Sequence, residues 1–134
     1  MNEQDLENIA MEWFQKNGYQ TAHGPDIEPG GSAQERAEYQ EVILWDRFDA
    51  ALDRLNPDAP ASVIRDAKTK FRRRLGEETN LVRSNRVFQE MLTEGIRIEH
   101  REGSETRTIA VRLIARDGPE LNDWLAVNQV TVHH

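Results

Sequence analysis

The hydrophobic period of this chain changes once, and that change constrains the fold more than any other feature. Before Gly95 the apolar residues recur at helical spacing, and from Ile96 onward they alternate with polar ones, the pattern of a strand with one buried face. A layer of about four helices followed by a small antiparallel β-meander is therefore expected, which is the α+β class.

Glycine and proline divide the helical part. Leu6, Ile9, Ala10, Trp13 and Phe14 fall at i, i+3, i+4, i+7 and i+8, predicting an amphipathic helix over about residues 4–16 that ends at Asn17-Gly18. Residues 19–21 then suggest a short strand, and residues 22–33, crowded with Gly24, Pro25, Pro29, Gly30, Gly31 and Ser32, a loop. Tyr39, Ile43, Leu44, Phe48, Ala51, Leu52 and Leu55 predict the longest helix over about 34–55, broken at Asn56-Pro57. Pro60 opens a third helix carrying Val63, Ile64, Ala67 and Phe71, which stops near Gly76. Ser84 is the expected N-cap of a fourth, which presents Val87, Phe88, Met91 and Leu92 and closes at Gly95.

In the second part Ile96 and Ile98 alternate with Arg97 and Glu99, and Ile109, Val111 and Leu113 follow a Glu102-Gly103-Ser104 turn, so a hairpin is expected. Asp117-Gly118-Pro119 makes a further turn, and residues 124–132 supply a third strand of the meander. A strand at the terminus leaves backbone donors and acceptors open, so the expectation is one incomplete domain over 1–134 whose last strand pairs with strands that follow it.

Composition narrows the chemistry. With no cysteine, disulfides, thiolate metal sites and thiol nucleophiles are excluded. No apolar run reaches the length of a membrane span and the N-terminus lacks a secretory pattern, so the expected location is the cytoplasm, with no membrane partner. A net charge of −7 argues against a nonspecific coat for nucleic acid. Yet Arg65, Lys68, Lys70, Arg72, Arg73 and Arg74 crowd one stretch, either a solvated helix face or a DNA-binding patch.

Several segments, read in order, resemble the start of the R subunit of type I restriction enzymes, whose nuclease domain has the PD-(D/E)xK fold. They are Glu7-Asn8-Ile9-Ala10-Met11-Glu12-Trp13-Phe14 with Gly18-Tyr19; Arg36 and Val42-Ile43-Leu44; and Ala50-Ala51-Leu52-Asp53-Arg54-Leu55-Asn56-Pro57 with Pro60. Asn85-Arg86-Val87-Phe88-Gln89-Glu90-Met91-Leu92 with Gly95-Ile96, and Asn122-Asp123-Trp124-Leu125-Ala126-Val127-Asn128-Gln129-Val130, complete the similarity. Val130 stands where the family has an aromatic residue, and Ala115-Arg116 where many relatives have an acid and an aromatic, which leaves the subfamily open.

The resemblance implies Mg²⁺-dependent cleavage of duplex DNA after ATP-driven translocation, in a complex with modification and specificity subunits. The family's metal-binding Asp and Glu-x-Lys would follow His134, so Mg²⁺ and ATP belong to the full-length protein and this segment alone is expected to be inactive. Glu7 matches the opening-helix glutamate that supports the metal in similar nucleases; the bland reading is an acid favoured by the helix dipole. Asp66-Ala67-Lys68 fits D-x-K, but within a helical, basic run chance explains it better.

His23, His100, His133 and His134 lack metal-ligand spacing, and neither Gly30-Gly31-Ser32 nor Gly103-Ser104 has the lysine of a phosphate-binding loop. Asn122, Asn128 and Gln129 are read as turn and strand-end hydrogen-bonding residues ahead of DNA contacts. The alternative function is a noncatalytic protein- or nucleic-acid-binding module; a standalone nuclease using Glu7, Asp66 and Lys68 ranks last.

Overall fold

The computed structural model describes residues 1–39, 41–77 and 79–131. The chain forms two compact units, residues 1–48 with 123–134, and residues 49–122. Its class is α+β, as expected.

In the first unit, helix α1 (Glu3–Lys16) starts at a capping box: the Asn2 side chain accepts from the Asp5 backbone N–H, and Asp5 reciprocates. Strand β1 (Gln20–His23) follows, with a single helical turn, α2 (Gly24–Ile27), inside the expected loop. Phe14, Tyr19 and Trp124 make a chain of ring contacts, 5.0 Å and 5.6 Å between centroids, that covers one side of the strand.

The helix expected over 34–55 is a correction: α3 spans Trp45–Leu55, and the described residues of 34–44 are not helical. Tertiary bonding overrides the periodicity there. The N–H groups of Glu35 and Arg36 donate to the Ile27 carbonyl at 2.9 and 3.0 Å, and the buried Arg36 guanidinium donates to the carbonyls of Tyr39 and Glu41. Backbone groups satisfied this way have no need of an i→i−4 ladder.

The second unit holds the larger core. Helix α4 (Ala61–Glu77) buries Val63, Ile64, Ala67 and Phe71, the stripe read from the sequence. Helix α5 (Leu81–Glu94) begins one turn earlier than expected, because the Asn80 side chain, not Ser84, accepts from the N–H groups of Val82 and Arg83. Strands β2 (Ile96–Glu102) and β3 (Glu105–Val111) form the predicted antiparallel hairpin, with Ile96, Ile98 and Val111 facing inward. Gly95 joins α5 to β2 at φ 78°, and a Cβ there would lie 2.8 Å from the Val111 carbonyl oxygen, so both conformation and space require glycine.

The third strand departs from the meander. β4 (Leu125–Asn128) pairs in parallel with β1, Gln20 opposite Leu125 and His23 opposite Asn128. Alternation alone does not distinguish these pairings, and the intervening Pro119–Leu121 3₁₀ turn supplies no tight hairpin between β3 and β4. Residues 129–131 of the expected strand are not in a strand, and residue 132 lies outside the described ones.

The Asn56-Pro57 break has a second role. Asn56 Nδ2 donates to the carbonyls of Leu52 and Arg112, both at 2.9 Å, and its Oδ1 accepts from the Arg112 N–H at 2.7 Å. The side chain thus ends α3 and extends β3 like a strand neighbour. Asn56→Ala strands two backbone groups of Arg112 and is expected to cost about 1–2 kcal/mol; urea denaturation of the 134-residue chain measures it, and an unchanged midpoint would disprove the clamp.

Candidate functional site

The parallel pairing of β1 and β4 brings both strand ends to the same edge, beside α1. Carboxyl ends of parallel strands are where sites form in open sheets. Glu7 of α1, the site candidate read from the sequence, lies there, together with three residues not expected in a site: His23 of β1, Asn128 of β4 and Gln129 just after it.

Glu7 is half-buried. Its Oε2 accepts from Gln129 Nε2 at 3.2 Å, while Oε1 is buried with no hydrogen-bond partner. His23 Nδ1 lies 2.7 Å from Asn128 Oδ1, an acceptor to which the ring nitrogen donates. An open groove of about 390 Å³ runs beside this pair, lined among others by Asn8, Met11, Gln15 and Thr21.

Gly24 makes the edge possible. A Cβ at this position would fall 2.5 Å from the Asn128 carbonyl oxygen and closer still to that of Gln129, so backbone packs directly on backbone. Gln129 is the non-glycine residue with positive φ, 47°, among the described residues. Neither feature has a sequence signal beyond a glycine in a turn-rich stretch.

Arg47 on α3 is the residue that sequence reasoning missed. Its guanidinium bonds Glu35 Oε1 at 2.5 Å, Asp123 Oδ2 at 2.7 Å and Gln20 Oε1 at 3.1 Å. It thereby ties the non-helical segment, the first residue of β1 and the approach to β4. Hydrogen bonding to Glu35, then to Asp123, raises its pKa above the ordinary arginine value against some loss from burial. In the sequence it is one charge among many on a helix face.

The basic residues lie on α4, in the other unit. The buried stripe separates them into two flanks. Arg65 and Arg72 are exposed and, with Lys68, line one open groove of about 440 Å³. Lys70 and Arg73 border another of about 620 Å³, facing Arg97 and Glu99 of β2. Lys68 lies 3.9 Å from Asp49, Lys70 donates to the Arg97 carbonyl at 2.9 Å, and Arg73 and Arg74 both approach Glu77 at 3.6 Å.

Asp66 and Lys68 flank the fully buried Ala67 on a helix, so D-x-K here is not the strand motif it mimics. His100 sits 3.7 Å from Glu102, and His133 and His134 lie outside the described residues. Asn122 behaves as read: its side chain accepts from and donates to the Ala115 backbone, both at 2.8 Å. Among the described residues no helix is long and apolar enough to cross a membrane.

The glutamate of the first helix, the Leu-Asn-Pro helix stop and the Asn-Gln after β4 lie in the segments that resemble the N-terminal region of a type I restriction R subunit. The chain belongs to that family: it matches the profile described as the type I restriction enzyme R protein N terminus over residues 1–134. It is 26% identical, over 133 residues, to the type I restriction enzyme HindI endonuclease subunit of Haemophilus influenzae, covering 98% of this chain. It is 28% identical, over 129 residues and 96% of this chain, to the provisionally named MjaIXP type I restriction enzyme endonuclease subunit of Methanocaldococcus jannaschii. The chain spans 12% of the length of each of these relatives. No solved structure matches it.

Arg47→Ala leaves Glu35 and Asp123 without their shared cation and is expected to destabilise the chain by about 1–2 kcal/mol, discounted for partial exposure. Lys carries the charge but not the fork and should recover less than half. Thermal melts of both variants at low and high salt check this, and full recovery by Lys would reduce the network to simple charge balance.

Proposed function

We propose that this chain forms part of the DNA-cleaving domain of a type I restriction R subunit, with Glu7 as a supporting carboxylate for Mg²⁺. The observation that carries this reading is the buried, unpartnered Oε1 of Glu7 near the carboxyl edge of β1 and β4. The names of the relatives, both endonuclease subunits, support it.

Mg²⁺ takes hard oxygen donors, and a carboxylate with one oxygen uncommitted fits the role of a single ligand or outer-sphere support. The described residues offer no group of three or more His, Asp or Glu side chains, so Glu7 acts together with ligands supplied elsewhere in the R subunit. When bound, the ion polarises the scissile phosphate and acidifies the attacking water. The chain's own residues place the carboxylate: α1 carries it, Gln129 bonds one oxygen, and Gly24 lets the strand end approach. By itself the 134-residue chain does not cut DNA. ATP-driven translocation belongs to other parts of the R subunit, and the modification and specificity subunits complete the complex.

A second reading, a noncatalytic binding module, draws on α1, where Leu6, Ile9 and Trp13 are 53–58% exposed and offer an apolar face to a protein.

Two experiments on the intact R subunit in its complex separate these readings. Glu7→Gln is expected to reduce DNA cleavage by about 10- to 100-fold, the range for perturbed metal shells, while leaving ATP hydrolysis intact; wild-type cleavage would remove Glu7 from the metal site. For the basic helix, Arg65→Glu with Arg72→Glu should weaken DNA binding and lower the slope of log affinity against log salt by about 0.9 per lost phosphate contact. An unchanged slope would make α4 a solvated face.

A further inference from the structure

Gln129 is built unlike its neighbours on β4. Strand pairing ends at Asn128, and the next residue turns to φ 47°, a conformation that L residues other than Asn and Asp rarely adopt. The Gly24 contact fixes this turn, because the carbonyls of Asn128 and Gln129 occupy the space that a side chain at 24 would need. Observed strain of this kind points toward a functional constraint.

The result of the turn is one long-range bond. Gln129 Nε2 donates to Glu7 Oε2 across 122 residues of sequence, and leaves Glu7 Oε1 buried and unbonded. One carboxylate oxygen is thus anchored and the other is left without a hydrogen bond. The choice of donor matters: Lys or Arg at 129 would neutralise the carboxylate, whereas a neutral amide orients it and leaves its full charge for a cation.

We propose that Gln129 is a positioning residue that sets the orientation of Glu7 toward a divalent cation. The inference rests on the reading of Glu7 as a metal-supporting carboxylate, and adds the residue through which that carboxylate is held.

The test uses the intact R subunit and two variants that separate backbone from side chain. Gln129→Gly relieves the positive φ and removes the amide; Gln129→Asn tolerates the same φ but is one methylene too short to reach. Both are expected to melt no lower than wild type, to bind Mn²⁺ about tenfold more weakly in the absence of nucleotide, and to need about tenfold more Mg²⁺ for half-maximal cleavage, with the maximal rate nearly restored at saturation. Glu7→Gln with Gln129→Gly should be no worse than Glu7→Gln alone, since both act through one bond. If Gln129→Gly binds Mn²⁺ like wild type while Glu7→Gln is impaired, the positioning role is overturned and the reading of Glu7 survives. If Glu7→Gln itself binds Mn²⁺ and cleaves normally, both fall.

Discussion

The Arg47 guanidinium is the interaction on which the first unit depends. Three of its donors reach Glu35, Gln20 and Asp123, from three segments far apart in sequence. A planar fork can serve several acceptors at fixed angles, which a flexible ammonium cannot. Because Gln20 opens β1 and Asp123 precedes β4, this one side chain sets the approach of two strands whose parallel pairing no short turn could arrange. The carboxyl edge of that pair, with Glu7 and His23 beside it, follows from the same anchoring.

Amide side chains then stand in for missing backbone partners at nearly every junction. Asn2 and Asn80 cap α1 and α5, Asn56 clamps Arg112, and Asn122 clamps Ala115. Each carries a donor and an acceptor on a short stem, so it can satisfy an N–H, a carbonyl or both where a helix or ladder ends. At Asn128 and Gln129 the same chemistry is turned on side chains, His23 and Glu7. The step from structural clamp to candidate site is therefore small: an amide that would complete a backbone instead orients an ionisable group.

Charge is divided in a corresponding way. The open carboxylate belongs to the unit of residues 1–48 and 123–134, while the cationic flanks of α4 belong to that of residues 49–122. Lys68, Arg73 and Arg74 lie close to acids, and Arg65 and Arg72 are exposed on the same helix.

What the sequence by itself determined is whatever local periodicity and composition control. The buried stripe of α4, the inward isoleucines of the hairpin, the stops at Asn56-Pro57 and Gly95, and the family all follow from residue order alone. Tertiary structure decided the rest. Residues 34–44 carry helical periodicity, yet Arg36 and Ile27 take their backbone groups into other bonds. The β4 segment alternates like a meander strand, yet it pairs with β1 in parallel, because which edge a strand joins depends on partners distant in sequence. Glu7 was legible as a candidate; its anchored and open oxygens, Gly24's forced contact and the left-handed turn at Gln129 were not. They arise where segments far apart in the chain meet, and no period or spacing encodes that meeting.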